Sequence, residues 1–191
     1  TLSLGYFQPA SARLVDPLLA ALPWVRRSTG GASLIHDHEL TYALALPPNL
    51  AGDSWMPRMH AIIVAGLAAL GVHVDLVREP VRLGDVLCFQ QQTVGDVLSD
   101  GRKVVGSAQR RHRRCLLQHG AILLRQSRST PALPGLLETT GCDIEPCELA
   151  AAIVRASGWD ENAGEWSTEE RRTIASLVAE KYGNAGWNER R

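Results

Sequence analysis

The stretch GRKVVGSAQRRHRRCLLQHGAILL, residues 101–124, carries the strongest indications of fold and site in this sequence. Lys103 opens a short apolar strand that runs into the small residues Gly106-Ser107-Ala108, which predict a turn. A cluster of arginines follows, and a second apolar strand then carries His119 in its middle. A strand that serves packing alone has no need of a lysine, a backbone-exposing turn and a histidine together. The stretch therefore favours strands built around a site that holds an acyl group or an acyl phosphate near an amine.

Composition and charge place the chain among ordinary globular proteins. Its 191 residues fit one domain, and 45% of them are hydrophobic while 21% are charged. Lysine plus arginine and aspartate plus glutamate number 20 each, so no net charge draws the protein to nucleic acid or to a membrane surface. No apolar run approaches the roughly 20 residues of a membrane span. We predict a single domain over residues 1–191 that begins inside a strand and lacks a preceding segment.

The cysteines predict a reduced, cytoplasmic protein. Cys88, Cys115, Cys142 and Cys147 form no CxxC pair, and a domain of this size does not need disulfide bonds. Their spacing also lacks the paired ligands of a zinc site, so we predict no bound metal.

Apolar spacing along the chain predicts strands with helices between them and at the end. Strands are predicted at 1–7, 33–36, 41–46, 72–76, 86–94, 103–106 and 115–124, and helices at 11–22, 55–70, 145–156 and 168–182. Asp53 or Ser54 caps the clearest helix, 55–70, and Gly71 ends it. Asp100-Gly101 predicts the turn before the strand of Lys103. This order favours an α+β fold over a doubly wound sheet.

Cys88 is the candidate nucleophile. A cysteine in an apolar strand is most often a small buried hydrophobe. It becomes a nucleophile when its thiolate is stabilised, and a nearby ammonium group supplies that stabilisation. If residues 86–94 and 102–106 form neighbouring strands, Lys103 and Cys88 converge at one end of the sheet. Sequence spacing alone does not fix that pairing.

Two further segments carry backbone or charge that suits a ligand. The adjacent glycines Gly30 and Gly31 leave N–H groups unshielded, which suits a phosphate or a carbonyl oxygen, although a plain tight turn has the same sequence. Neither a P-loop nor a GxGxxG motif is present. The basic run 110–114 forms either a solvated face or a surface for an acidic partner, and its lack of interleaved aromatic residues disfavours nucleic acid.

Segments with a characteristic order and spacing carry a resemblance to a known family. They are Leu4-Gly5-Tyr6-Phe7-Gln8, Arg26-Arg27-Ser28-Thr29-Gly30-Gly31, His36-Asp37, Glu39-Leu40-Thr41-Tyr42, Cys88-Phe89, Gly101-Arg102-Lys103-Val104-Val105-Gly106-Ser107-Ala108-Gln109 and Leu117-Gln118-His119-Gly120. Together they resemble the catalytic domain shared by lipoate–protein ligases, octanoyltransferases and biotin–protein ligases, over residues 1–124. The resemblance implies a mixed, mainly antiparallel β-sheet with flanking helices, related to class II synthetase cores, and an acyl group held in a tunnel.

The resemblance also implies roles for individual residues. Lys103 would contact the acyl carbonyl or an adenylate. The loop over the reacting end would contain Arg27, Gly30 and Gly31. The remaining substrate-binding residues that it implies are Thr29, His36, Gly106, Ser107, Ala108, His119 and Gly120. The family's third glycine and following alanine are Ala32 and Ser33 here, a departure that weakens a phosphate cradle.

The pair Cys88-Phe89 separates the branches of this family. Ligases that activate free lipoate carry Arg-Asn-Asp near this position, whereas the cysteine-dependent octanoyltransferases resemble the Cys-Phe form. We therefore expect cofactor-free transfer of an octanoyl (or lipoyl) group through a Cys88 thioester. The donor would be acyl carrier protein, and the acceptor a lysine of a lipoyl domain or of glycine-cleavage H protein.

Two alternatives differ in chemistry. One is lipoate ligation that requires ATP and Mg²⁺ and proceeds through lipoyl-AMP at Lys103, with Cys88 as a packing residue. The other is a degenerate family member that binds acyl groups or scaffolds a lipoyl domain, without catalysis.

Overall fold

The computed structural model describes residues 1–52, 54–82, 86–159 and 164–190. The strands in these residues are β1 (Leu2–Leu4), β2 (Trp24–Arg26), β3 (Leu34–Ile35), β4 (Glu39–Leu46), β5 (Asp75–Leu76), β6 (Val81–Arg82), β7 (Gln91–Gln92), β8 (Val97–Ser99), β9 (Arg102–His112) and β10 (Cys115–Leu123). The α-helices are α1 (Pro17–Ala20), α2 (Trp55–Ala69), α3 (Leu136–Thr140), α4 (Pro146–Ser157), α5 (Thr168–Leu177) and α6 (Ala185–Asn188). Short 3₁₀ helices cover Ala10–Leu14 and Cys88–Gln90, and a π-helical turn covers Val178–Tyr182. None of the helices so described is long and apolar enough to cross a membrane.

A five-stranded antiparallel sheet, in the order β4-β10-β9-β8-β5, forms the body of the fold. A second sheet has the order β2-β1-β3, in which β1 is parallel to β2 and antiparallel to β3. Strands β6 and β7 pair with each other. The predicted α+β fold, with mixed but mainly antiparallel sheets and flanking helices, is therefore confirmed.

Helices α2 and α4 cover one face of the five-stranded sheet. The apolar residues of α2 recur three and four positions apart, so Met59, Ile63 and Leu67 lie on one buried face. They share a core cluster with residues of β9, β10 and α4, namely Val104, Val105, Ile122, Leu149 and Ile153. Because side chains along a strand alternate between faces, every second residue of β9 and β10 is left for the opposite face.

The predicted helix at 55–70 is confirmed as α2. Ser54 precedes it without a capping hydrogen bond from its side chain, and the other predicted cap, Asp53, lies outside the described residues. Gly71 ends the helix with φ of +78°, a left-handed conformation that glycine adopts without strain.

The turn predicted at Gly106-Ser107-Ala108 is wrong. β9 continues through these residues and pairs with β10 as far as His112. The chain reverses later, at Arg113 and Arg114, where φ is +47° and +67°. Small side chains at 106 and 108 leave open space above the sheet, where they line a pocket.

The strand predicted at 86–94 is also wrong. Cys88–Gln90 form a 3₁₀ turn, and the extended part is limited to β7. The turn lets Leu87 join the apolar cluster around β1 while Phe89 packs against Ala121 and Leu123 of β10. A short buried turn and a short buried strand have the same apolar composition, so periodicity did not separate them.

Other predicted elements are present, but their boundaries differ from the prediction. The helix predicted at 11–22 is divided at Asp16, whose carboxylate accepts a 2.8 Å hydrogen bond from Leu18 N and caps α1. The strands predicted at 1–7 and 72–76 shrink to β1 and β5. The helix predicted at 168–182 begins with a reciprocal capping box between Ser167 and Glu170 and becomes π-helical at Val178.

Candidate active site

A β-bulge in β9 turns Lys103 toward the face of the sheet that α2 and α4 do not cover. Val105 pairs with Val97 and Lys103 with Leu98, so Val104 is an extra residue in β9. The bulge breaks the alternation of side chains, and Val104 and Val105 are both fully buried in the helix-side core. Lys103 therefore lies on the same face as Gly106, where a methyl group in place of the glycine hydrogen would lie 2.6 Å from Lys103 Cε.

The Lys103 ammonium group is buried and paired. Its Nζ lies 2.7 Å from Asp96 Oδ2, and the two side chains are 4% and 5% exposed. It also donates hydrogen bonds to the carbonyl oxygens of Gln91 and Cys88, at 2.9 and 3.3 Å. A buried cation requires such partners, because an unpaired charge in the interior is very unfavourable.

Cys88 lies beside this ammonium group, with Sγ 3.9 Å from Lys103 Nζ. The two residues meet although Cys88 is on a 3₁₀ turn and not on the neighbouring strand. Asp96, the residue that orients the lysine, was not singled out from the sequence. An aspartate after a glycine is typical of a turn, and its pairing with Lys103 can be recognised only when the bulge in β9 is known.

Ser33 fixes the turn that carries Cys88. The Cys88 N–H donates to the Ser33 carbonyl at 2.7 Å, and the Ser33 N–H donates to the Val86 carbonyl at 2.9 Å. The Ser33 hydroxyl donates to Gln8 Oε1 at 3.0 Å, while Gln8 Nε2 donates to the Val86 carbonyl at 3.2 Å. The departure from the family pattern at Ser33 thus adds a hydroxyl that links Gln8, in the loop after β1, to the cysteine turn.

Arg27 shapes the glycine loop through the backbone. Its guanidinium group donates to the carbonyl oxygens of Gly30 and Ala32 at 2.8 and 2.7 Å, and to that of Ser3 at 3.1 Å. Burial lowers the pKa of this guanidinium, and the charge of Cys88 opposes the shift. Gly31 has φ of +85°, which favours glycine at this point of the loop. The loop is therefore folded around Arg27, at the edge of the pocket.

A pocket opens next to Cys88. Its lining residues are Arg27, Leu34, His36, Thr41, Cys88, Phe89, Gly106, Ser107, Ala108, His119, Gly120 and Ala121. In β9 and β10, Gly106 pairs with Ala121, and Ala108 pairs with His119, so small side chains form much of the floor. The largely apolar lining suits an acyl chain.

The pocket brings together most of the predicted site residues. Lys103 and Thr29 lie behind its wall and contact the lining residues Cys88 and His119, while Gly30 and Gly31 belong to the Arg27 loop. Leu34, Thr41, Phe89 and Ala121 line the pocket but were not singled out from sequence, because apolar strand residues have no signature of their own. The roles of the whole set stay predictions.

His119 and Thr29 are hydrogen-bonded at the pocket wall, with 2.5 Å between His119 Nε2 and Thr29 Oγ1. Burial lowers the pKa of His119 to about 4, and the nearby charges of Arg27 and His36 act in the same direction. His119 is thus neutral at pH 7. The other histidine of the pocket, His36, is held by Glu39 Oε1 at 2.8 Å.

A chain of buried hydrogen bonds lies under the pocket floor, on the helix side of the sheet. His60 Nδ1 donates to the Gly95 carbonyl at 2.6 Å, so Nε2 accepts from the Ser107 hydroxyl at 2.7 Å. Ser107 Oγ then accepts from the Tyr42 hydroxyl at 2.5 Å, and Gln118 Nε2 donates to Tyr42 at 2.8 Å. Burial lowers the pKa of His60, which keeps this neutral arrangement. The chain holds the Gly95 turn, and with it the following carboxylate that pairs with the lysine.

Acid is expected to destabilise the protein, and His119→Gln to reduce that effect. An unperturbed histidine has a pKa of 6.5 and His119 has about 4 in the folded protein, so the unfolded chain binds more protons between these values. The stability due to neutral His119 is present above pH 6.5 and is lost as the pH falls toward about 4. His60 acts in the same direction, so the variant removes part of the dependence.

Urea unfolding of both proteins at neutral and mildly acidic pH measures this. The same loss of stability in wild type and His119→Gln would contradict the assignment of a depressed pKa to His119.

The fold and the site together define a class of enzyme. A thiol and a buried ammonium group meet beside an apolar pocket on a sheet of this topology, an arrangement suited to handling activated acyl groups. Residues 1–138 match the lipoyl protein ligase A/B catalytic domain family, and the chain belongs to that family of enzymes. The resemblance inferred from the sequence is confirmed.

Curated relatives point to one branch of the family. Octanoyltransferase LipM of Symbiobacterium thermophilum is 31% identical to this chain over an alignment of 226 residues, gaps included. The alignment covers 99% of this chain and 82% of the relative. Octanoyltransferase LipM of Kyrpidia tusciae is 32% identical over an alignment of 231 residues, which covers 100% of this chain and 84% of the relative.

Solved structures share the fold. Protein Ta0514 of T. acidophilum with bound lipoic acid has a TM-score of 0.78 at 19% identity, over 100% of this chain and 82% of that chain. Lipoate-protein ligase A bound with ATP has a TM-score of 0.79 at 20% identity, over 99% of this chain and 81% of that chain. At these identities the likeness concerns the fold alone.

Proposed function

We propose that this enzyme transfers an octanoyl group through a thioester on Cys88. The donor is an octanoyl thioester on the phosphopantetheine arm of acyl carrier protein, and the acceptor is the ε-amine of a lysine in a lipoyl domain or H protein. The 3.9 Å approach of Cys88 Sγ to Lys103 Nζ, beside an apolar pocket, is the observation that carries the proposal. The four cysteines are free thiols, which agrees with our placing of the reaction in the cytoplasm.

The transfer takes place in two acyl exchanges. The Cys88 thiolate attacks the thioester carbonyl, the donor C–S bond breaks, and the pantetheine sulfur leaves and takes up a proton. The acceptor amine then attacks the Cys88 thioester, an amide bond forms, the amine loses a proton, and the Cys88 thiolate is released. The first exchange is near energy-neutral and the second is downhill, so the reaction does not require ATP.

Lys103 provides the charge that this chemistry requires. Its ammonium group is close enough to stabilise the negative charge on Cys88 sulfur and on the oxyanion of each tetrahedral intermediate. Asp96 and the Gln91 carbonyl hold the group in place before substrate binds, so little reorganisation is needed during the reaction.

ATP-dependent lipoate ligation is the alternative, and the geometry favours it less. In that reaction Lys103 and the amides of Gly30 and Gly31 would hold an acyl adenylate, and Cys88 would serve packing. The bulge and Asp96 instead direct Lys103 to a cysteine that lines the pocket. The relatives named octanoyltransferase also support transfer.

An assay with two acyl sources tests the proposal. Octanoyl-loaded acyl carrier protein without ATP should give an octanoylated lipoyl domain, detected by the mass of the acceptor. Free octanoate or lipoate with Mg²⁺-ATP should give no product. Product formed solely from the free acid and ATP would establish ligation and overturn the transferase proposal.

Gly106→Ala is expected to slow transfer while leaving the fold intact. The added methyl group would lie 2.6 Å from Lys103 Cε and 3.0 Å from Nζ, so the ammonium group must move away from Cys88. Loss of one preorganised charge contact lowers turnover by roughly 10²-fold. Steady-state kinetics and thermal unfolding measure the two effects. Gly164→Ala is the control, since no atom lies within 4 Å of its added methyl group. Equal turnover in the two variants would contradict the role given to Lys103.

A further inference from the structure

Two hairpin turns in this chain have nearly the same φ angles, although their residues are of different types. The β8–β9 turn is formed by Asp100 and Gly101, with φ of +47° and +69°. The β9–β10 turn is formed by Arg113 and Arg114, with φ of +47° and +67°. Positive φ at both positions of a two-residue turn defines type I′, which strongly prefers Asn-Gly or Asp-Gly. The first turn follows this preference and the second does not.

The arginine pair is unfavourable for folding. A side chain with a Cβ atom is strained at positive φ, and the second position of a type I′ turn is usually glycine. Both arginines are exposed, and neither forms a hydrogen bond or ion pair with the described part of the chain. Strain that no contact with the described residues offsets points to a function outside the protein.

The other two arginines of the basic run have structural contacts. Arg110 donates to the Ser28 carbonyl at 3.1 Å, and Arg111 donates to the Ala51 and Gly52 carbonyls at 2.7 and 3.0 Å. The two neighbouring residues at the turn are therefore the part of the run that presents its charge to a partner.

We propose that Arg113 and Arg114 dock the acidic carrier protein that donates the octanoyl thioester. This inference rests on the proposed transferase function. Acyl carrier proteins are acidic, and the paired guanidinium groups complement that charge. The tip of the hairpin suits contact with the protein body of the donor, at a distance from the reacting thioester.

Distance along the sheet favours the donor over the acceptor. Gly106 marks the position of Cys88 on β9, and the strand continues for six residues to His112 at the turn, about 20 Å at about 3.3 Å per residue. An extended phosphopantetheine arm spans a comparable distance. An acceptor lysine has a side chain of four methylene groups and must bring its own domain close to Cys88.

The face of the sheet between the tip and Cys88 is open and basic. Arg110, His112 and Lys181 line a groove there, together with Leu117 and Ala45 of the neighbouring strands. The Lys181 ammonium group along this path suits the phosphodiester at the start of the arm.

Two double variants separate charge from strain. Arg113→Asn with Arg114→Gly creates the preferred turn and removes both charges. Arg113→Lys with Arg114→Lys keeps both charges and the positive-φ side chains. Each protein is tested for thermal unfolding and for Cys88 acylation, by octanoyl acyl carrier protein and by uncharged octanoyl-N-acetylcysteamine, at low and high salt.

The Asn-Gly variant should unfold several degrees higher than wild type. Its rate of acylation by the carrier protein at low salt should fall about tenfold and lose most of its salt dependence. The small thioester should acylate it at the wild-type rate, and the Lys-Lys variant should stay near wild type with both donors.

Wild-type rates of the Asn-Gly variant with the carrier protein would overturn the docking proposal and leave the transferase function standing. Acylation of wild-type Cys88 by neither donor would overturn the transferase function itself, and the docking proposal with it.

Discussion

Replacing Cys88 by alanine is expected to abolish octanoyl transfer. The proposed reaction has no covalent intermediate without this thiol, so turnover should fall by about 10⁴-fold or more. The side chain lies on a 3₁₀ turn whose backbone is held by Ser33, so the substitution should leave the fold unchanged. Transfer to a lipoyl domain, measured by acceptor mass, gives the rate, and circular dichroism checks the fold.

Cys147→Ala is the matched control, since Cys147 is an exposed free cysteine on α4 and should be dispensable. Transfer by Cys88→Ala at a rate near that of this control would contradict the covalent mechanism.

Asp96→Ala is expected to destabilise the protein by about 3–5 kcal/mol, because it leaves the buried Lys103 ammonium group without its counter-charge. The carboxylate also accepts hydrogen bonds from Thr93 N and Oγ1, at 2.8 and 2.9 Å, which the substitution removes. Urea unfolding measures the loss. Transfer activity should fall as well, since the Lys103 ammonium group can then move away from Cys88.

Adding Lys103→Met to Asp96→Ala separates stability from catalysis. An apolar side chain replaces the unpaired charge, so much of the lost stability should return while transfer activity stays below that of wild type. A single Asp96→Ala variant as stable as wild type would show that the ion pair does not hold the site together.

Local signals predicted several elements correctly. Asp100-Gly101 has the residues that a type I′ turn requires, and the four-residue spacing of Met59, Ile63 and Leu67 identified α2. These features depend on a few neighbouring residues. The turn at Arg113-Arg114 was missed because its residues contradict the local preference that predicts such turns.

The geometry of the site depends on non-local register, which the sequence pattern does not carry. Lys103 reaches Cys88 because Val104 is an extra residue opposite β8, and that bulge is a property of two strands together. His60 on α2 reads as part of a helix, and its bond to Ser107 requires α2 to be packed under β9. The proximity of Cys88 and Lys103 was predicted from two neighbouring strands, whereas a turn and a bulged strand produce it.

The most direct test of the covalent mechanism is the intact mass of the protein after incubation with octanoyl acyl carrier protein in the absence of ATP. We predict one octanoyl adduct that hydroxylamine removes, present in wild type and absent from Cys88→Ala. An unmodified wild-type enzyme that still octanoylates its acceptor under these conditions, or an adduct that persists in Cys88→Ala, would contradict transfer through Cys88.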